Sequence, residues 1–127
     1  TKEINLLSRS KFLYSLIEKY WALYPDHVVF LGPKPIIFNN IRELKRRLLN
    51  TKKLNSFKNI PLFVKEKGTF YLGNMSKAQK EQLICYYDIL IRIRKHTNLS
   101  TLSKKSINEI INWDQEKYRI SLNQTFV

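Results

Sequence analysis

The 127-residue sequence contains one cysteine, three glycines, two alanines and only 10 acidic residues against 23 lysines and arginines. Each scarcity removes a class of protein. A lone thiol, Cys85, rules out an internal disulfide framework and any cysteine-built zinc cluster, and with them a secreted mini-scaffold. No apolar run reaches the ~18 residues that cross a bilayer as a helix, so an integral helical membrane protein is excluded. Three glycines are too few for the phosphate-cradling loops of nucleotide enzymes, and neither G-x-x-x-x-G-K-[ST] nor G-x-G-x-x-G occurs. The opening Thr1-Lys2-Glu3-Ile4-Asn5 has no apolar stretch and no small-residue cleavage site, so it does not read as a secretory signal. It is also not rich in Arg and Ser like a transit peptide. The chain is expected to be mature after processing or made where it works.

What is present is enough apolar surface for a core and a large excess of positive charge. Hydrophobic residues make up 43% of the chain and aromatics 13%, and the length fits one domain. The formal net charge is +13, and the pI near 10 means the surface repels itself unless something acidic lies against it. The commonest partner of that kind is a nucleic-acid backbone, where each cationic contact releases a condensed counterion. The charge is also concentrated: Arg42, Lys45, Arg46, Arg47, Lys52, Lys53 and Lys58 are opposed within that span by Glu43 alone. The abundance of Lys, Asn, Ile, Phe and Tyr reflects A/T-rich codons. That bias points to an A/T-rich genome such as an organelle's or a parasite's, and a mitochondrial setting is the expectation over a cytoplasmic one.

Periodicity predicts the order α-β-α-β-β-α-α-(β), a single small α/β domain over residues 1–117 with a C-terminal strand or extended arm over 118–127. Ser8 or Ser10 caps a first helix reaching Tyr24, where Pro25 stops it. His27 to Leu31 is apolar without alternation and reads as a covered strand. Gly32-Pro33-Lys34-Pro35 is a rigid break. A second helix follows Asn39 or Asn40, packing by Ile41, Leu44 and Leu48 and fraying from Asn50 to Ser56. Pro61–Lys65 and Thr69–Leu72 form a hairpin around Glu66-Lys67-Gly68. Ser76 and Gln79 make a capping box for a long, broadly apolar helix from Lys77 to His96, and Ser106 with Glu109 another for a short helix. Tyr118 to Leu122 alternates like a last strand.

Chemistry-bearing constellations are sparse. His27 and His96 lack a paired acid, and Asp88, Glu109, Asp114 and Glu116 fall in none of the spacings that hold magnesium or zinc. Cys85, between Ile84 and Tyr86, reads as a buried and inert thiol. The expectation is a protein that is not an enzyme, with no cofactor, no metal and no small-molecule substrate. Binding features are richer. Lys34, the Arg42–Lys58 cluster, and Arg92, Arg94 and Lys95 at a helix end can all meet phosphates, and the guanidinium of arginine grips phosphate bidentately. Trp21 or Tyr86, if exposed, offers a ring to an unpaired base.

From Leu16 to about Phe63 the order is a helix, the apolar Val28-Val29-Phe30, a helix carrying Arg42-Glu43-Leu44-Lys45-Arg46-Arg47-Leu48, and then Lys58-Asn59 before Leu62. This layout resembles the N-terminal part of the ribosomal stalk-base protein family of the large subunit, with Gly32-Pro33-Lys34-Pro35 where the family has Gly-Leu-Thr. The resemblance implies an rRNA-binding module, with Arg46, Arg47, Lys58 and Asn59 as contact positions. Tyr24-Pro25, Pro33-Lys34-Pro35-Ile36 and Ile41-Arg42-Glu43-Leu44 are in turn similar to the opening of the FinO/ProQ RNA-chaperone domain, which implies a free RNA chaperone using the same surface. The leading expectation is a non-catalytic rRNA-binding component of a mitochondrial ribosome, in its large subunit, docked on neighbouring proteins by its apolar third helix and its C-terminal arm. A basic accessory subunit of a membrane-associated complex is the alternative of a different class.

Overall fold

The helix expected from Ser8 or Ser10 to Tyr24 ends earlier, at Lys19, and a separate helix that the periodicity does not announce precedes it. In the computed structural model, which describes residues 1–50, 57–93 and 99–125, α1 spans Lys2–Arg9 and α2 spans Lys11–Lys19. Ser10 separates them. Its backbone is extended, its N–H closes α1 on Leu6, and its hydroxyl accepts the Leu13 N–H at 3.2 Å to open α2.

The next segment corrects the sequence reading. His27 to Leu31, expected as a strand, lies in helix α3, Pro25–Leu31. Proline is its first residue, where the missing N–H costs nothing, and Gly32 at φ 96 ends it. Pro25 therefore starts a helix and stops none, since α2 has already ended at Lys19. A short continuous apolar run does not distinguish a buried strand from a buried helix. The resolving signal is the bracketing Pro and Gly. Val28-Val29-Phe30, the strand of the stalk-base layout, is accordingly helical.

The sheet is built from β1 (Ile36–Phe38), β2 (Leu62–Val64) and β3 (Gly68–Phe70). β1 runs parallel to β2, pairing Ile36 with Leu62, and β2 runs antiparallel to β3, pairing Leu62 with Phe70. Parallel neighbours need a crossover, and it contains α4, Ile41–Leu48, whose bounds follow the apolar stripe Ile41, Leu44 and Leu48. The hairpin stands where expected. Its turn carries Glu66 at φ 65 as well as Gly68 at φ 154. A Cβ on Gly68 would sit 3.0 Å from Asn5 Oδ1, so the Asn5 side chain would have to give way, and the positive φ itself favours glycine there.

Helix α5 covers Lys77–Leu90 behind a complete Ser76–Gln79 capping box. It ends earlier than the apolar pattern suggests. Helix α6 runs Lys104–Thr125, so residues 118–122, read as a strand, are helical. Its opening serine is Ser103, which accepts the Ser106 N–H at 3.1 Å; Ser106 is thus capped and does not itself cap. The whole is one small mixed α/β domain. No helix among the described residues is long and apolar enough to cross a membrane.

The sheet divides the interior. On one face, Phe63 joins α1, α2, α3 and α5 in the larger core, with Leu7, Ile17, Leu83, Tyr86 and Leu90 buried. On the other, Phe38, Leu62 and Val64 pack against Leu44 of α4 and Phe57. The broadly apolar α5 is thus central to the fold. Trp21 and Tyr86 are buried among these residues and offer no ring to a base, while Cys85 is exposed and not buried as its neighbours suggested.

Two buried polar features fix the assembly. Thr69 donates its hydroxyl hydrogen to the Ile4 carbonyl at 2.7 Å, so the 2.9 Å contact with Ser8 must be donated by Ser8. The Thr69 N–H goes to Asn5 Oδ1 at 3.1 Å, and the Glu66 N–H to the Ser8 carbonyl at 2.9 Å. His27, fully buried among Trp21, Tyr24 and Tyr86, accepts the Leu23 N–H on Nδ1 at 3.5 Å. Its proton therefore sits on Nε2, which has no hydrogen-bond partner among the described residues.

Replacing Thr69 by valine keeps the shape but leaves the Ser8 hydroxyl without an acceptor, and should lower the urea-unfolding free energy by about 2 kcal/mol. Ser8→Ala removes the donor itself and should cost less. Burial pushes the His27 pKa down to about 4 from 6.5. The unfolded chain binds a proton below about 6.5 that the fold refuses until about 4. Stability from the neutral ring is therefore complete above 6.5 and lost as pH falls towards 4, on the order of 3 kcal/mol in total. Unfolding curves collected between pH 7 and 4 should show this slope, and His27→Phe should flatten it.

Candidate nucleic-acid interface

Helix α4 presents the basic cluster, and its local chemistry explains which members are free. Asn40 Oδ1 accepts the Glu43 N–H at 2.8 Å, and Glu43 Oε2 accepts the Asn39 N–H at 3.1 Å. Asn40 thus caps the helix start, and the Glu43 side chain reaches back to the backbone one residue further than in a capping box. Glu43 also pairs with Arg47 at 3.6 Å, one helical turn on. Arg47 lies over the Phe38 ring, 5.4 Å from its centroid. The Arg47 guanidinium is therefore engaged by its own domain. Arg42, Lys45 and Arg46 point outward and have no acidic partner among the described residues.

The fold adds a cation that the linear cluster does not contain. The β2–β3 turn brings Lys67 to the start of α4, where Asn40, Ile41, Arg42, Lys45 and Lys67 line an open cleft of about 640 Å³. Lys67 is fixed from behind, because Arg9 Nε donates to its carbonyl at 2.8 Å. Across the start of the turn, the Lys65 N–H bonds the Phe38 carbonyl at 2.9 Å, and Tyr14 donates its hydroxyl to the same oxygen at 3.2 Å. Burial first, then the Glu18 and Glu43 carboxylates, raise the Tyr14 pKa, so it stays a neutral donor. Three cations without an ion-pair partner among the described residues thus converge on one concavity beside exposed Asn39 and Asn40. That arrangement suits a phosphate-bearing chain, since closely spaced positive charges raise local anion concentration.

The remaining candidate positions scatter. Lys58 and Asn59 lie at the far end of the sheet, where Lys58 bridges Leu72 and the Asn59 N–H bonds the Leu72 carbonyl at 3.0 Å. Asn59 has φ 63, and its carbonyl receives the Gln79 side-chain amide at 2.6 Å. It serves the turn by its backbone. The same Gln79 amide reaches the Phe30 carbonyl at 3.0 Å, so one side chain ties α5 to α3 and to that turn. Lys34 sits at the opening end of β1, beside a smaller cleft of about 250 Å³ shared with Lys104 and Ile107 of α6. It is thus separated from the main cleft by the length of the strand. Arg92 is exposed just beyond α5. Lys52, Lys53, Arg94, Lys95 and His96 lie outside the described residues.

Arg9 and Lys67 were missed because they are isolated in sequence. Their relevance depends on the parallel crossover, which puts the hairpin turn and the start of α4 at the same end of the sheet. The turn prediction over Glu66-Lys67-Gly68 was the one local signal available. No group of three His, Cys, Asp or Glu converges among the described residues.

Arg46 and Arg47, adjacent in sequence, should behave differently. Arg47→Ala should lower stability by about 0.5–1 kcal/mol through loss of the Phe38 and Glu43 contacts, while Arg46→Ala should leave the urea midpoint unchanged. Comparison of the chain with protein-family models, with curated proteins and with solved structures yields no match.

Proposed function

We propose that the protein binds RNA without catalysis, gripping the phosphate backbone with α4 and the β2–β3 turn. The observation that carries this reading is the cleft in which Arg42, Lys45 and Lys67 converge, with no acidic partner among the described residues, on a chain of net charge +13. Arg46 extends the surface along α4. Exposed cations at this density repel one another, and a polyanion relieves that repulsion while releasing its own counterions.

The role in which such a surface is permanently neutralised is that of a structural constituent of a ribonucleoprotein particle. A mitochondrial ribosome, through its large-subunit rRNA, is the particle we favour, supported by the composition of the chain and by the likeness of the Arg42–Leu48 segment to stalk-base proteins. A free RNA chaperone would use the same cations. Sedimentation of the native protein separates the two, since a ribosomal constituent follows its particle and shifts when magnesium is withdrawn.

Binding of RNA at increasing salt tests the proposal. Roughly six phosphate contacts give a log–log slope near −5 on a duplex and about −4 on a single strand. Removing Arg42, Lys45 or Lys67 one at a time should make the slope shallower by about one each, with the urea midpoint unchanged. A slope near zero for the unmodified protein would defeat the proposal.

A further inference from the structure

The sheet face that α4 occupies is only partly covered. Phe38 of β1 and Leu62 and Val64 of β2 are buried beneath Leu44 and its neighbours. β3 lies at the sheet edge beyond them. Phe70 is the residue directly opposite Leu62 across the β2–β3 pair, and directly opposed residues share a face. Leu72, two residues on, belongs to the same face and packs against the same cluster. Phe70 therefore stands on the α4 side, yet 42% of it is exposed, whereas Leu62 is 1% exposed.

An exposed phenylalanine on its own means little. Its setting is the informative part. Lys67, in the basic cleft with Arg42 and Lys45, precedes β3. Lys58 is bridged to Leu72 just past the other end of the strand. Cations thus bracket an aromatic ring over roughly 16 Å of extended chain, at ~3.3 Å per residue. Sequence-tolerant binding of single strands combines such a positively charged path for the backbone with rings on which bases stack. A duplex keeps its bases stacked on one another and has no use for the ring.

We infer that the RNA bound is single-stranded across this face, with a base stacked on Phe70 while Arg42, Lys45 and Lys67 hold the phosphates on one side and Lys58 on the other. This rests on the RNA-binding proposal above and narrows it to unpaired RNA. An acidic protein segment would meet the same cations but would be indifferent to whether the RNA bases are free.

The test compares a labelled oligouridine with an RNA duplex of equal length, using the full chain at one fixed salt concentration. Wild-type protein should bind the oligouridine more tightly than the duplex. Phe70→Ala should weaken oligouridine binding about tenfold or more and leave duplex binding unchanged, while Phe70→Tyr should retain wild-type affinity. Because just over half of the side chain is buried against the sheet, the alanine variant should unfold at a somewhat lower urea concentration while remaining folded under the binding conditions, which its urea curve checks. A Phe70→Trp variant gives a second readout: the emission it adds should be quenched by oligouridine and not by an abasic ribose-phosphate oligomer. If Phe70→Ala binds oligouridine as well as wild type while Lys67→Ala weakens it, the stacking inference is overturned and the phosphate-binding proposal stands. If wild-type protein binds neither RNA, both fall.

Discussion

The structure depends on a buried hydroxyl pair that joins α1 to the hairpin. Ser8 and Thr69 are 61 positions apart and both buried, and their hydroxyls exchange one hydrogen bond while Thr69 also reaches the Ile4 carbonyl. Without Thr69, the buried Ser8 hydroxyl would carry the desolvation penalty of an unpaired polar group, whereas Thr69 keeps the Ile4 carbonyl as a partner. Together they fix the register of α1 on β3, and everything nearby takes its position from that register. Asn5 covers the Thr69 N–H at the open strand edge, and the Ser8 carbonyl holds Glu66 in its positive-φ conformation. An edge strand with unpaired amides is a template for unwanted pairing. Here a helix side chain occupies it.

The basic cleft follows from the same seam. Lys67 belongs to the turn that α1 holds, and Arg9 grips its carbonyl. The other wall comes from α4, placed by the crossover between parallel β1 and β2 and by Leu44 packing under the sheet. Three cations therefore sit on two elements whose relative position is set by buried groups, none of them charged. Their mutual repulsion is offset by core packing elsewhere. At the other end of the sheet the Gln79 side chain has a comparable function, joining α5 to the end of α3 and to the Asn59 turn.

Much of this was legible in local chemistry. The Ser76–Gln79 box, the Asn40 cap with its Ile41-Leu44-Leu48 stripe, and the hairpin around Lys67-Gly68 are signals confined to a few residues, and each marks an element where it stands. The failures have a common cause. α3 reads as a strand because its seven residues are too few for a helical period to declare itself, and β1 leaves no mark in the sequence because three residues after two prolines carry almost no pattern. Helix α1 carries little signal in the sequence because its buried face, Ile4, Leu7 and Ser8, includes a serine whose partner is 61 positions away. At the site, the cations of α4 were visible as a run, but which were already engaged was not. Arg47 looks like its neighbours until Phe38 is placed beneath it. Lys67 joins them only through the topology of the sheet, and Phe70 gains significance only through its register with Leu62.

The order in which the chain is made gives the α1–β3 seam a further consequence. Synthesis delivers the N-terminus first, so α1 leaves the exit tunnel with an apolar stripe and a buried-type serine long before Thr69 exists to meet them. Contacts of such wide separation close late, because the intervening loop must lose its freedom before the contact returns anything. Until then Ile4 and Leu7 are open to any apolar surface nearby, and the nascent protein is most vulnerable to a wrong partner during that interval. A binding partner or chaperone that shields the first helix while translation continues would therefore raise the yield of folded molecules without touching the finished structure.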